Sequence, residues 1–131
     1  MVNVALLQGK KVFVTGAARG LGRDFAQAIA EAGAQVVMAD ILTDLVQQEA
    51  AVLQAQGLQV TAVTIDLANA DSIQQAVQQA AEHLAGIDGL VNCAALATNV
   101  GGKSLMDYDA DLWDRVMNIN VKGTWLVTKA C

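Results

Sequence analysis

The sequence predicts an α/β protein with a doubly wound parallel sheet, and three observations carry that prediction. Short β-branched runs alternate with segments of helical periodicity along the whole chain. Glycines stand where the helical segments stop. Glycine-rich or acidic residues stand where the strand-like runs stop. Strand, helix, strand, helix at this pace gives right-handed βαβ units and a sheet covered on both faces.

The elements follow in order. Lys11–Thr15 (KVFVT) is a compact apolar run ending at a glycine, as a buried parallel strand reads. Residues 21–32 follow as a helix, with Phe25, Ala28, Ile29 and Ala32 at helical spacing and Gly33 as the stop. Residues 35–39 (QVVMA) form a second strand, which ends at Asp40. Residues 42–56 repeat Leu45, Val46, Glu49, Val52 and Leu53 on a helical period, and Gly57 stops them. Residues 59–65 (QVTAVTI) are a third strand running into Asp66. Asn69 or Asp71 can cap a third helix carrying Ile73, Ala76, Val77, Ala80, Ala81 and Leu84 to a stop at Gly86. Gly89–Asn92 is a fourth, short strand, followed by a glycine-containing loop over residues 98–104. A helix from about Asp111 then carries Leu112, Val116, Ile119 and Leu126 to the end. The last residues, VTKAC, lie inside an apolar periodic stretch with no helix stop, so the reading is a sheet truncated after about four strands, with the chain cut inside its fifth long helix.

Composition narrows the function classes. The 131 residues, 54% hydrophobic and 16% charged, suit one globular domain with a real core. No apolar run reaches the roughly 20 residues of a membrane span, and MVNVALLQGKK lacks the basic-then-apolar order of a secretory signal, so the expectation is a cytoplasmic protein without a membrane partner. Net charge is −5 with no basic cluster, which argues against nucleic acid. Cys93 and Cys131 lie far apart with no CxxC, and His83 falls on a helix, so no metal site is expected.

The chemistry gathers after the strands. Thr15-Gly16-Ala17-Ala18-Arg19-Gly20-Leu21-Gly22 joins strand 1 to helix 1. Glycines there permit positive φ and close approach of a phosphate, while the helix N-terminus offers N–H groups and the positive end of its dipole. The spacing is G-x-x-x-G-x-G rather than the general G-x-G-x-x-G. Asp40, about 20 residues on, can accept hydrogen bonds from both ribose hydroxyls and repels a 2′-phosphate. Asp66 ends strand 3, where an adenine amino group would lie. A bare glycine turn, a helix-capping Asp40 and a loop aspartate at Asp66 are the bland readings. All three would have to hold at once to remove the nucleotide cradle.

With these residues in view, the sequence resembles the short-chain dehydrogenase/reductase family. The family's T-G-x-x-x-G-x-G loop is matched by Thr15, Gly16, Gly20 and Gly22, its N-N-A-G segment by Asn92-Cys93-Ala94-Ala95, and its N-V-x-G segment by Asn120-Val121-Lys122-Gly123. The resemblance implies a Rossmann-type, single dinucleotide-binding domain over residues 1–131 and an NAD-dependent oxidoreductase acting between a nicotinamide cofactor and a secondary alcohol or ketone. Gly16, Gly20 and Gly22 would line the diphosphate, and Arg19 and Leu21 would also contact the cofactor. Asp40 and Ile41 would flank the adenine ribose, Asp66 and Leu67 the adenine, and Asn92 and Ala94 would support strand 4 and the cofactor. Asn120 would match the active-site asparagine, whose backbone carbonyl holds a water of the proton relay; an ordinary helix asparagine, with Asn118 near it, is the other reading. The family also implies a homo-oligomer when complete.

The sequence departs from the family at several points. Cys93 replaces the second asparagine of the strand-4 segment and Ala95 its glycine. Arg19 stands where a basic residue can serve NADP in the family, although Asp40 favours NAD. The family's serine and Tyr-x-x-x-Lys have no counterpart in these residues, because Tyr108 is the only tyrosine and Leu112 stands four positions later. The 131-residue chain alone is therefore expected to be inactive. An adenosylmethionine-dependent methyltransferase shares the glycine loop and acidic strand ends, but the Asn92 and Asn120 segments argue against it. A non-catalytic nucleotide-binding module is the other alternative.

Overall fold

The structure is a computed structural model that describes residues 6–131; the first residues of the N-terminal stretch read for a targeting signal lie outside them. Four strands, β1 (Lys11–Thr15), β2 (Gln35–Asp40), β3 (Val60–Thr64) and β4 (Gly89–Asn92), form a sheet in the order β3-β2-β1-β4. Every pair in it is parallel. Helices α1 (Gly20–Glu31), α2 (Thr43–Ala55) and α3 (Ala70–Leu84) make the crossovers. A 3₁₀ turn at Leu105–Asp107, α4 (Ala110–Met117), a π-helical stretch at Asn118–Gly123 and α5 (Thr124–Ala130) follow β4. This is the doubly wound α/β class read from the alternation of runs, and the chain reverses direction across the sheet between β1 and β4.

The two-residue period of the strands sorts the core into two layers. Val12 and Val14 of β1 and Val36 and Met38 of β2 meet Ala26 and Ala30 of α1 and Val46 and Leu53 of α2. On the other face, Phe13, Val37 and Ala39 meet Ile73, Val77 and Leu84 of α3 and Val127 of α5. The central strands are buried on both sides, which is why KVFVT and QVVMA read as unbroken apolar runs.

Three local expectations change. Phe25 was expected on the core face of α1 but is exposed; the buried stripe is Gly22, Ala26 and Ala30, whose small size lets the helix lie close to the sheet. Asn69 is the cap of α3, accepting from the Ser72 N–H at 3.1 Å, while the left-handed stop is Ala85 (φ 58°) rather than Gly86 alone. The last helix is not regular throughout. The π-helical stretch interrupts it, with helical backbone continuing through Asn118 and Thr124 on either side. A β-carbon on Gly123 would lie 2.6 Å from the Leu67 carbonyl oxygen, so the helix presses against the loop after β3 there.

Candidate functional site

The geometry starts at Thr15, the last residue of β1. Its side chain is fully buried, and its hydroxyl accepts from the N–H groups of Cys93 and Ala94, both at 3.2 Å. This ties the end of β1 to the end of β4 at the reversal point, where open α/β sheets bind ligands. Gly16 then turns with φ 65°, and a β-carbon on it would stand 2.7 Å from the Ala94 nitrogen. The Ala17 N–H extends the ladder to Ala39 O at 3.1 Å, and the Ala18 N–H donates to Asp40 Oδ2 at 3.0 Å.

Arg19 is extended and makes no side-chain cap on α1, whose first turn holds no acidic residue. The orphan N–H groups and positive dipole end of that helix are therefore left for an anion. Gly20 adopts φ 59°, and a β-carbon there would meet nothing within 4 Å, so its side faces open space. Gly22 has a different reason to be glycine: a β-carbon on it would lie 2.0 Å from the Gly16 carbonyl oxygen.

These pieces open onto a cleft of about 580 Å³ at the carboxyl ends of the strands. Of the residues singled out above, Gly16, Arg19, Gly20, Leu21, Gly22, Asp40, Ile41, Asp66, Leu67 and Ala94 all line it. Asp40 Oδ1 also accepts from the Leu42 N–H at 3.0 Å, and a carboxylate with two such bonds retains free acceptor sites. Asp66 accepts from the Ala68 N–H at 2.9 Å and donates its own N–H to Ser72 Oγ at 2.9 Å, which fixes the turn out of β3.

Two of the expected residues stand apart from the cleft wall. The Asn92 side chain donates to Thr128 Oγ1 at 3.0 Å, so it braces β4 against α5. Asn120 lies in the π-helical stretch; its side chain accepts from the Leu96 N–H at 2.7 Å and donates to the Leu96 carbonyl at 3.0 Å. That two-point clamp holds the segment after β4 while leaving the Asn120 backbone carbonyl outside it. A π turn inside a helix often marks a functional site.

Arg115 and Ile119 also line the cleft, and the sequence reading had not assigned Arg115 to it. The available signal was helical spacing, because Arg115 stands four residues before the inward Ile119 and shares its face. Among the described residues no group of three histidine, cysteine, aspartate or glutamate side chains gathers to hold a metal. No helix among them is long and apolar enough to cross a membrane.

Comparisons with known proteins agree with this architecture. The family model described as short chain dehydrogenase matches residues 10–131. An uncharacterized oxidoreductase of Thermotoga maritima is 34% identical over 126 residues, covering 96% of this chain and 48% of that protein. The 2-(S)-hydroxypropyl-CoM dehydrogenase 3 of Xanthobacter autotrophicus is 35% identical, covering 95% of this chain and 48% of that protein. A short chain dehydrogenase from Mycobacterium smegmatis superposes with a TM-score of 0.92 at 31% identity, over 99% of this chain and 53% of that one. A short chain dehydrogenase from Burkholderia cenocepacia, solved in complex with NADP, gives 0.86 at 32% identity, over 95% and 50%. The chain thus spans about half the length of the curated relatives it matches. With its loop, its strand order and its sequence all pointing one way, the chain belongs to the short-chain dehydrogenase family.

Proposed function

We propose that the chain is the NAD(H)-binding part of an oxidoreductase that moves a hydride between a nicotinamide cofactor and a secondary alcohol or ketone. The observation that carries this is the cleft itself. An uncapped α1 N-terminus, the open side of Gly20 and the Asp40 carboxylate face one space of about 580 Å³. The donor set suits a dinucleotide: backbone N–H groups for a diphosphate, a carboxylate for ribose hydroxyls, and Asp66 with buried Leu67 for an adenine. The bound cofactor would supply or accept the hydride. The residues of this chain would bind it, orient it and, through the Asn120 clamp on Leu96, fix the wall beside it. The Burkholderia relative holds NADP, so the choice between the two cofactors rests on this chain's own Asp40 and Arg19. Family membership leaves the methyltransferase reading without support, and no observation favours a non-catalytic module.

NAD(H) is expected to bind more tightly than NADP(H). Asp40 offers an acceptor to ribose hydroxyls and a repelling charge to a 2′-phosphate, whereas Arg19 is exposed and free to swing away. In Asp40→Ala the difference in binding free energy between the two cofactors should shrink by about 1–3 kcal/mol, the scale of a hydrogen bond to a charged group. Tighter NADP(H) binding by the unmodified protein would show that Arg19 dominates.

We also propose that the whole protein is a cytoplasmic homo-oligomer. Trp113, Met117, Val121 and Trp125 are all exposed on successive turns from α4 to α5, and β4 ends the sheet only partly buried. Exposed apolar stripes and open sheet edges both promote association. The 131-residue chain should therefore self-associate in light scattering, and a stable, monodisperse monomer would contradict the proposal.

A further inference from the structure

We infer that Asp40 is a positioning residue for the glycine loop, so that one carboxylate couples ribose recognition to diphosphate recognition. This rests on the dinucleotide reading above and adds a role that the end-of-strand aspartate does not have as a ribose acceptor alone. The loop residue Ala18 is 1% exposed, and its N–H finds its acceptor in Asp40 Oδ2 at 3.0 Å. A buried N–H needs a partner, and water cannot readily replace this one. The neighbouring Ala17 N–H is already bonded to Ala39 O. The other Asp40 oxygen accepts from the Leu42 N–H at 3.0 Å, so the side chain is a strut between the β1–α1 loop and the turn into α2.

The strut has two consequences. Ala18 immediately precedes Arg19 and Gly20, where α1 begins, so anchoring it sets the direction in which the first-turn N–H groups point. The Ala18 N–H is itself consumed by Asp40 and is not available to a phosphate. Diphosphate binding then falls to the N–H groups of the first turn of α1, aimed by a side chain whose remaining lone pairs serve the ribose. Removing the carboxylate loosens both.

The test pairs a protein change with a ligand change. Affinities for ADP and for 2′,3′-dideoxy-ADP, which lacks the ribose hydroxyls, are measured by calorimetry on the unmodified chain, Asp40→Ala and Asp40→Asn. Amide hydrogen exchange is followed in the ligand-free proteins. Asp40→Ala should bind dideoxy-ADP about tenfold more weakly, the scale of losing one charge-assisted hydrogen bond, and Asp40→Asn measurably more weakly. Ala18 exchange should rise while Phe13 and Val37 stay protected. Asparagine keeps one acceptor oxygen, so its loss should be the smaller, and it serves as the readout if the alanine variant fails to fold. Unchanged dideoxy-ADP affinity in Asp40→Asn would overturn the coupling, as would unchanged Ala18 exchange. If the unmodified chain binds neither nucleotide, the dinucleotide reading itself fails, and Ala18 exchange alone then decides whether the strut exists.

Discussion

Gly22→Ala is expected to cost the chain both stability and nucleotide affinity, and to cost more stability than the same change at Gly20. A β-carbon on Gly22 would lie 2.0 Å from the Gly16 carbonyl oxygen and 2.7 Å from the Gly16 carbonyl carbon. Both are backbone atoms of a loop pinned by neighbouring hydrogen bonds, Ala17 N–H to Ala39 O and Ala18 N–H to Asp40. No rotamer relieves such a contact, so α1 must move off the sheet and carry Ala26 and Ala30 out of their packing. Overpacking of this kind costs about 1–3 kcal/mol and occasionally more. Against a total of roughly 5–15 kcal/mol that is a large share. A calorimetric melt should show a fall on the order of 10 °C, taking roughly 4 °C per kcal/mol for a domain of this size. At Gly20 the surroundings are empty and only φ 59° resists a side chain, a strain of about 1–2 kcal/mol. Gly20→Ala should thus melt closer to the parent, yet it places a methyl where the diphosphate is proposed to lie. An unshifted melt for Gly22→Ala would mean that the loop relaxes more freely than its hydrogen bonds imply.

The contrast between these glycines shows what the sequence could convey. The class of fold was legible because β1 and β2 are buried on both faces and carry polar residues only at their ends, so their central runs stay unbroken. The cleft was legible because the doubly wound topology sends every strand end to the same side of the sheet. The reasons behind individual residues were not. Glycine spacing cannot say that Gly16 and Gly20 need positive φ while Gly22 needs room against a carbonyl. Hydrophobic period missed the π-helical stretch, because that turn is set by a contact between Gly123 and Leu67 and by the Asn120 clamp, both made to segments distant in sequence. Period also misjudged Phe25, since the close approach of α1 uses alanine and glycine, which carry a weak hydrophobic signal. Arg115 hid for a similar reason: a charged residue on a cleft-facing turn looks like an ordinary solvated position.

The 131-residue chain is expected to turn over no secondary alcohol or ketone with NAD(H), whereas a protein extended through the portion its relatives possess should do so with some member of that class. Moving a hydride between nicotinamide and a carbonyl leaves a proton to be delivered to, or taken from, the substrate oxygen. A positioned acid/base group for that step contributes typically 10²- to 10⁴-fold. Tyr108, His83, Thr15, Asn120 and the two cleft arginines are not placed or built for that step. Tyr108 packs edge-on against Trp113 at 6.4 Å between ring centroids, does not line the cleft and has Leu112 rather than a lysine four positions on. His83 lies beside Gln35 and Val60, at the amino ends of β2 and β3, across the sheet from the cleft. Thr15 is buried, with its oxygen accepting from Cys93 and Ala94. Asn120 does not titrate, and its side chain is committed to Leu96. Arg19 and Arg115 offer only N–H donors and no acceptor for a proton. Binding and turnover should therefore separate: calorimetry detects NAD(H) in the cleft, while NADH absorbance at steady state stays flat across a panel of secondary alcohols and ketones. Turnover by the purified chain that disappears in Tyr108→Phe would place the active site around Tyr108 instead.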